Sequence, residues 1–156
     1  MLRTIAGSLV GLMLAASSPV SARTATGAIE VSLTVLPGCS VSTTPLAFAA
    51  RAGSAAEAEA AIDVRCSAET GVAVSLDQGR HATGSQRRLA SEAGGSVAYQ
   101  IYSDAACSQA WNGSPIRGDV RPDSALRLVA YGRIEPRDSR VAVGEYRDSV
   151  TVTVAF

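Results

Sequence analysis

The chain has 156 residues, 47% of them hydrophobic, and its 14 basic and 14 acidic side chains cancel to no net charge. Every basic residue is an arginine and these are scattered among acids. That pattern excludes a basic stripe for nucleic acid and a polybasic membrane patch.

Residues 1–22 differ from the rest: Arg3, an apolar run from Ile5 to Ala16, then Ser17-Ser18-Pro19-Val20-Ser21-Ala22. This reads as a secretory signal peptide with a Val-x-Ala cleavage site, too short in its apolar run to span a bilayer. Cleavage leaves a mature chain from Arg23, one domain large enough for its own core. Export makes disulfides possible, and the three cysteines are Cys39, Cys66 and Cys107. Cys39 and Cys66 both sit in strand-like text (LTVLPGCSV, IDVRCSA) and form the favoured pair. Cys107, in the loop-like SDAACSQ, is then an odd thiol, either a bystander or an intermolecular bridge.

From Arg23 onward the dominant signal is alternation. Ile29, Val31, Leu33 and Val35 alternate with Ala28, Glu30, Ser32 and Thr34. The same period of two returns at Ile62, Val64 and Cys66, at Val72, Val74 and Leu76, and at Val97, Tyr99 and Ile101. It recurs at Leu126, Leu128 and Ala130, then at Val150, Val152, Val154 and Phe156. Alternation places every second side chain on one sheet face, so these segments are expected as half-buried strands. Pro37-Gly38, Gly94-Gly95, Asn112-Gly113 and Gly144 break the chain between them. The expected fold is all-β, an antiparallel sandwich. Ser54–Ile62 (SAAEAEAAI) has the composition of a helix but only about two turns of length. It is read as a loop leading into a strand, with a short helix as the alternative.

Residues that carry chemistry elsewhere are sparse. His81, the single histidine, lies in the polar stretch DQGRHATGSQRR without evident partners and is read as a solvated loop residue. Arg87-Arg88 is read as an exposed pair that keeps a loop wet, anion binding being the alternative. Trp111 is expected as a buried packing anchor, with sugar stacking as the alternative. Asn112-Gly113-Ser114 matches a glycosylation acceptor but is taken as a turn. The carboxylates do not cluster as a calcium loop or glycosidase pair would require, so no enzyme, cofactor or metal site is expected.

Taken in order, TGAIEVSLTVLPGCSV, IDVRC, VSLDQGRH followed by RRLA, VAYQIYSDAACSQAW, YGRI and VGEYRDSVTVTVAF resemble the spore coat protein U domain. That family includes pilin subunits of archaic, Csu-type chaperone-usher pili, and the resemblance covers about residues 26–156. It implies an incomplete immunoglobulin-like antiparallel β-sandwich of pilin type, lacking the last strand, and a non-enzymatic structural role. A periplasmic chaperone would lend a strand, and an outer-membrane usher would pass the subunit to a surface pilus serving adhesion or biofilm formation. Neighbouring pilin subunits would be joined head to tail by strand donation.

Carried onto this chain, the donor segment lies within residues 23–36, overlapping the first strand, with Ile29, Val31, Leu33 and Val35 as candidate plugs. The sandwich domain takes residues 37–156, and Tyr146, Val150, Val152, Val154 and Phe156 are the candidate acceptor groove. The last strand ends at Phe156, so the closing strand is expected from another chain. Burying four aliphatic plugs would contribute roughly 6 to 12 kcal/mol. Cys107 has no counterpart in the family pattern, and residues 49–61 are unusually rich in alanine. Two other readings stay beside the pilin: a sugar-binding module, stand-alone or at a fibre tip, and a spore or cell-coat protein of the same fold.

Overall fold

The computed structural model describes residues 23–156; the expected signal peptide at 1–22 lies outside the described residues. The chain divides into two units at Thr34/Val35. In the first unit, residues 23–34 have no regular secondary structure, and Ile29, Val31 and Leu33 are 89%, 88% and 85% exposed. The half-buried strand expected there is not formed among the described residues.

The second unit is an all-β sandwich of eight strands: β1 Cys39–Thr43, β2 Ala56–Cys66, β3 Thr70–Leu76, β4 Arg87–Ala90, β5 Ser96–Tyr102, β6 Ile116–Val120, β7 Leu126–Ile134 and β8 Val152–Ala155. One sheet runs β1-β2-β7-β5-β4 and the other β6-β3-β8, all neighbours antiparallel. The alternating residues face inward as their spacing requires. Ile62, Val64, Val72, Val74, Leu76, Val97, Ile101 and Val120 form the buried layer together with Tyr99 and Trp111.

The alanine-rich segment corrects the sequence reading. Residues 56–61 belong to β2, neither a loop nor a helix, because they pair residue by residue with β7, from Ala56↔Ile134 to Val64↔Leu126. Glu57 and Glu59 point to solvent while Ala56 and Ala60 are buried. Sheet pairing over nine positions overrides the local helix preference of alanine and glutamate.

Small residues on that inner face leave room for a crossing segment. A β-carbon on Gly132 would stand 2.6 Å from Phe48 Cζ and 2.8 Å from Leu46 Cδ2. Phe48 also meets Tyr99 edge-on at 6.1 Å between ring centroids. Cys39 and Cys66 are directly opposed in the β1–β2 register, 4.1 Å apart at Cα, and form the favoured disulfide. Cys107 is free, half-buried, and adopts a φ of 52°.

Candidate functional site

The sandwich is open along one side. β8 pairs with β3, from Leu76↔Val152 to Ala73↔Ala155, and among the described residues its other edge has no partner strand. β1 is the end strand of the opposite sheet. Between them lies a cleft of about 280 Å³. Thr43, Thr44, Leu46 and Phe48 form one wall, Asp148, Val150 and Val152 the other. Ala60, Ile62, Leu76, Ile101 and Ala130 lie at its floor. An unpaired strand edge beside exposed core side chains is a template for one more strand.

Val150, Val152 and Val154 are half-buried and alternate with exposed Thr151 and Thr153. The structure places Val150 and Val152 in this cleft. Val154 packs against the buried core and faces Val74 in the β3–β8 register. Phe156 is 61% exposed. Tyr146 belongs to a neighbouring cleft of about 440 Å³, with Leu89, Val97, Ile134 and Val141. Its hydroxyl donates to Ala142 O at 2.9 Å, and its ring lies within 2.9 Å of where a β-carbon on Gly95 would stand. Leu46 and Phe48 line both clefts. Ile29, Val31, Leu33 and Val35, the candidate plugs, are all more than 80% exposed.

A buried polar network holds the chain that enters β8. Asp148, whose side chain is 2% exposed, accepts the Tyr99 hydroxyl at 2.7 Å and the His81 backbone N–H at 3.1 Å. His81 Nδ1 stands 3.1 Å from the same carboxylate, which corrects the reading of His81 as a residue without partners. Gly79, at φ 84°, gives Asp148 the space a side chain would occupy. Burial first, then the Asp148 carboxylate, pushes the Tyr99 hydroxyl well above the usual phenol range.

Arg87 corrects a second reading. It is fully buried, not an exposed wetting residue. Its guanidinium donates to Asp77 O at 2.6 and 3.1 Å, to Trp111 O at 3.0 Å and to Asn112 Oδ1 at 3.1 Å. Burial pulls its pKa down, and the negative charges of Asp77 and Asp148 act against that pull. The Asp77 carboxylate accepts the Gly79 and Thr151 N–H groups, each at 2.9 Å. Burial disfavours its charge, but those hydrogen bonds and Arg87 prevail and hold it below the ordinary carboxylate range.

The residues of VSLDQGRH, RRLA and YRDSV therefore meet in one knot that fixes residues 147–151, the wall of the cleft. Trp111 is 2% exposed, so it packs the core and offers no stacking surface to a sugar. Among the described residues no group of three or more His, Cys, Asp or Glu could hold a metal. Sequence reasoning missed Leu46, Phe48, Tyr99 and Asp148 as cleft residues. The alternation of Leu46 and Phe48 in PLAF was the one local signal for the first two.

The family model for the Spore Coat Protein U domain matches residues 25–153. No curated protein matches the chain. Among solved structures, one similar chain comes from the crystal structure of the CsuC–CsuE chaperone–tip adhesion subunit pre-assembly complex from archaic chaperone-usher Csu pili of Acinetobacter baumannii. It aligns with a TM-score of 0.63 at 27% identity, over 79% of this chain and 40% of that one. A chain from a chaperone–tip adhesin complex of CFA/I fimbriae biogenesis aligns at a TM-score of 0.44 and 10% identity, over 73% of this chain and 40% of that one. This chain thus spans less than half the length of either solved chain.

Proposed function

The chain belongs to the Spore Coat Protein U domain family, and from that premise we propose that it is a non-enzymatic structural subunit of a chaperone-usher pilus. In this reading residues 1–22 direct export to the periplasm, a dedicated chaperone occupies the open cleft, and an outer-membrane usher exchanges the chaperone for the next subunit. Residues 23–36 of one copy fill the cleft of its neighbour, and the fibre reaches the cell surface, where it supports adhesion or biofilm formation.

The observation that carries the reading is the unpaired edge of β8 beside an apolar cleft lined by Val150, Val152, Leu46 and Phe48. An incoming strand satisfies the free N–H and C=O groups of that edge and buries aliphatic side chains between the sheets. Four plugs of the size of Ile29, Val31, Leu33 and Val35 contribute roughly 6 to 12 kcal/mol when removed from water. Dissociation then requires the cleft to reopen, so such a joint is slow to reverse. Co-expression with the chaperone and usher tests the proposal. The full chain is expected to form a one-to-one periplasmic complex with the chaperone and then a polymer, whereas a chain lacking residues 23–35 should bind chaperone but not polymerise. Polymerisation of the truncated chain would overturn the reading.

A further inference from the structure

Asn112 is the single asparagine of the chain and is followed by Gly113. The chain is anchored as it arrives there. The Trp111 N–H donates to Ile101 O at 2.8 Å, the Trp111 side chain is buried, and the Asn112 N–H donates to Ala110 O at 3.1 Å. Beyond that point it is released: residues 112–115 are exposed and lie outside any strand. Gly113 sits at φ 93°, where a side chain would be strained, and a β-carbon placed on it would meet nothing within 4 Å.

The bonds around Asn112 are unevenly distributed. Its Oδ1 accepts from Arg87 Nη1 at 3.1 Å, while among the described residues its Nδ2 and the Gly113 N–H form no hydrogen bond. Arg87 is fully buried, and the oxygens it donates to, Asp77 O, Trp111 O and Asn112 Oδ1, are all neutral. Among the described residues no carboxylate comes within ion-pair distance of it. The Asp77 and Asp148 carboxylates are taken up instead by the N–H groups of Gly79, Thr151 and His81 and by the Tyr99 hydroxyl. A buried cation held only by neutral acceptors is short of counter-charge.

We propose that Asn112 is a self-modifying site, which loses ammonia to become an aspartate whose carboxylate pairs with Arg87. The Gly113 nitrogen, deprotonated by hydroxide, attacks Asn112 Cγ. The new N–Cγ bond closes a cyclic imide as the Cγ–Nδ2 bond breaks, and ammonia leaves with a proton from water. Water then adds to Cγ, the N–Cγ bond breaks and the nitrogen recovers its proton, so the net change is amide plus water to carboxylate plus ammonium. In both halves negative charge develops on Oδ1, the atom Arg87 holds, and a buried cation there stabilises it. Nucleophile and leaving group are the atoms left unbonded. Because the same contact activates Cγ when the imide opens, the product is the ordinary α-linked aspartate more than its β-linked isomer. The ion pair then tightens Arg87, and with it the knot that fixes residues 147–151. The conversion takes place within one subunit and does not depend on how subunits assemble.

Incubating the full chain, purified as exported, in mildly alkaline buffer tests this, with a parallel sample unfolded in guanidinium chloride. Conversion raises the mass by about one dalton, and with a single asparagine in the chain the intact mass reports the site directly. Fragmentation separates α-linked from β-linked product. The folded chain is expected to convert about tenfold faster than the unfolded one, in which Arg87 no longer meets Oδ1, and to give more of the α-linked product. Asn112→Asp should raise the thermal midpoint at neutral pH by about 3 °C, through a charge-assisted bond in place of a neutral one, and Asn112→Ala should lower it. A folded chain that converts no faster than the unfolded one overturns the proposal, since an Asn-Gly pair with no help from its surroundings reacts faster when disordered. So does a midpoint for Asn112→Asp no higher than that of the unaltered chain.

Discussion

The Tyr99 hydroxyl donates to Asp148 Oδ2 at 2.7 Å, joining the centre of β5 to the segment that leads into β8. Because Tyr99 is 4% exposed and Asp148 borders the open cleft, this phenol is one of the bonds that tie the wall of that cleft to the core. Tyr99→Phe removes the donor and leaves a buried carboxylate short of one partner, at an expected cost of about 1 to 3 kcal/mol. Urea unfolding of Tyr99→Phe, Asp148→Asn and the double variant measures the coupling. A double variant no more destabilised than either single one is the expected sign of a shared interaction.

Stability should fall at both ends of the pH scale, for opposite reasons. Asp77 has a lowered pKa in the folded chain, so as pH falls the unfolded chain takes up its proton first. Its contribution is present above about pH 4 and is lost below it. Tyr99 has a raised pKa, so the unfolded chain loses its proton first as pH rises. That contribution is present below about pH 10 and is lost above it. Denaturation midpoints across pH should show both slopes, with Asp77→Asn flattening the acid side and Tyr99→Phe the alkaline side.

Adjacent arginines should differ sharply. Arg87→Ala strands Asp77 O, Trp111 O and Asn112 Oδ1 without their donor and opens a cavity, at an expected cost of about 3 kcal/mol or more. Arg88, partly exposed and bonded to Ser96 Oγ at 3.1 Å, should cost no more than about 0.5 kcal/mol on the same change. Thermal unfolding of the two variants separates them.

On the proposed assembly, in which residues 23–36 of one copy fill the cleft of the next, segment and cleft should fail in complementary ways. Leu33→Asp is expected to stop polymerisation while leaving the stability of the sandwich within about 0.5 kcal/mol, because the side chain is 85% exposed. Ala130→Leu, which fills the floor of the cleft, should hinder uptake of a neighbour's segment even when the donor is unaltered. Mixing each variant with unaltered subunits and following fibre growth distinguishes a defective donor from a defective acceptor.

Removing the disulfide by Cys39→Ser with Cys66→Ser is expected to cost about 3 to 4 kcal/mol, from the loop it closes in the unfolded chain. Cys107→Ser should change stability by less than about 0.5 kcal/mol, since its thiol is unbonded. Unfolding curves of the two variants under non-reducing conditions check both values.

What the sequence made legible was periodic. Val72, Val74 and Leu76, or Val97, Tyr99 and Ile101, declare a buried face through neighbours two residues apart. Ala56-Glu57-Ala58-Glu59-Ala60 could not be assigned that way, because its state depends on five partners in β7 that are distant in the chain. Arg87 was misread because composition was weighed ahead of position: it alternates with Arg88, and in a strand that alternation puts one of the two inside. Asp148 was invisible for a different reason. Its partners lie 67 and 49 residues away, at His81 and Tyr99, and no local pattern encodes such a closure.

The bond between Cys39 and Cys66 also fixes where mechanical load enters the molecule. Tension on the chain preceding Gly38 reaches Cys39, the first residue of the five-residue edge strand β1. Without the bond, that tension would unzip β1 from β2 one rung at a time. With it, force crosses a covalent link at the first rung and passes into β2, an eleven-residue strand held on its far side by β7. Pulling then shears a long ladder in parallel instead of peeling a short one in series, so the sandwich resists extension on the timescale of its unfolding rate.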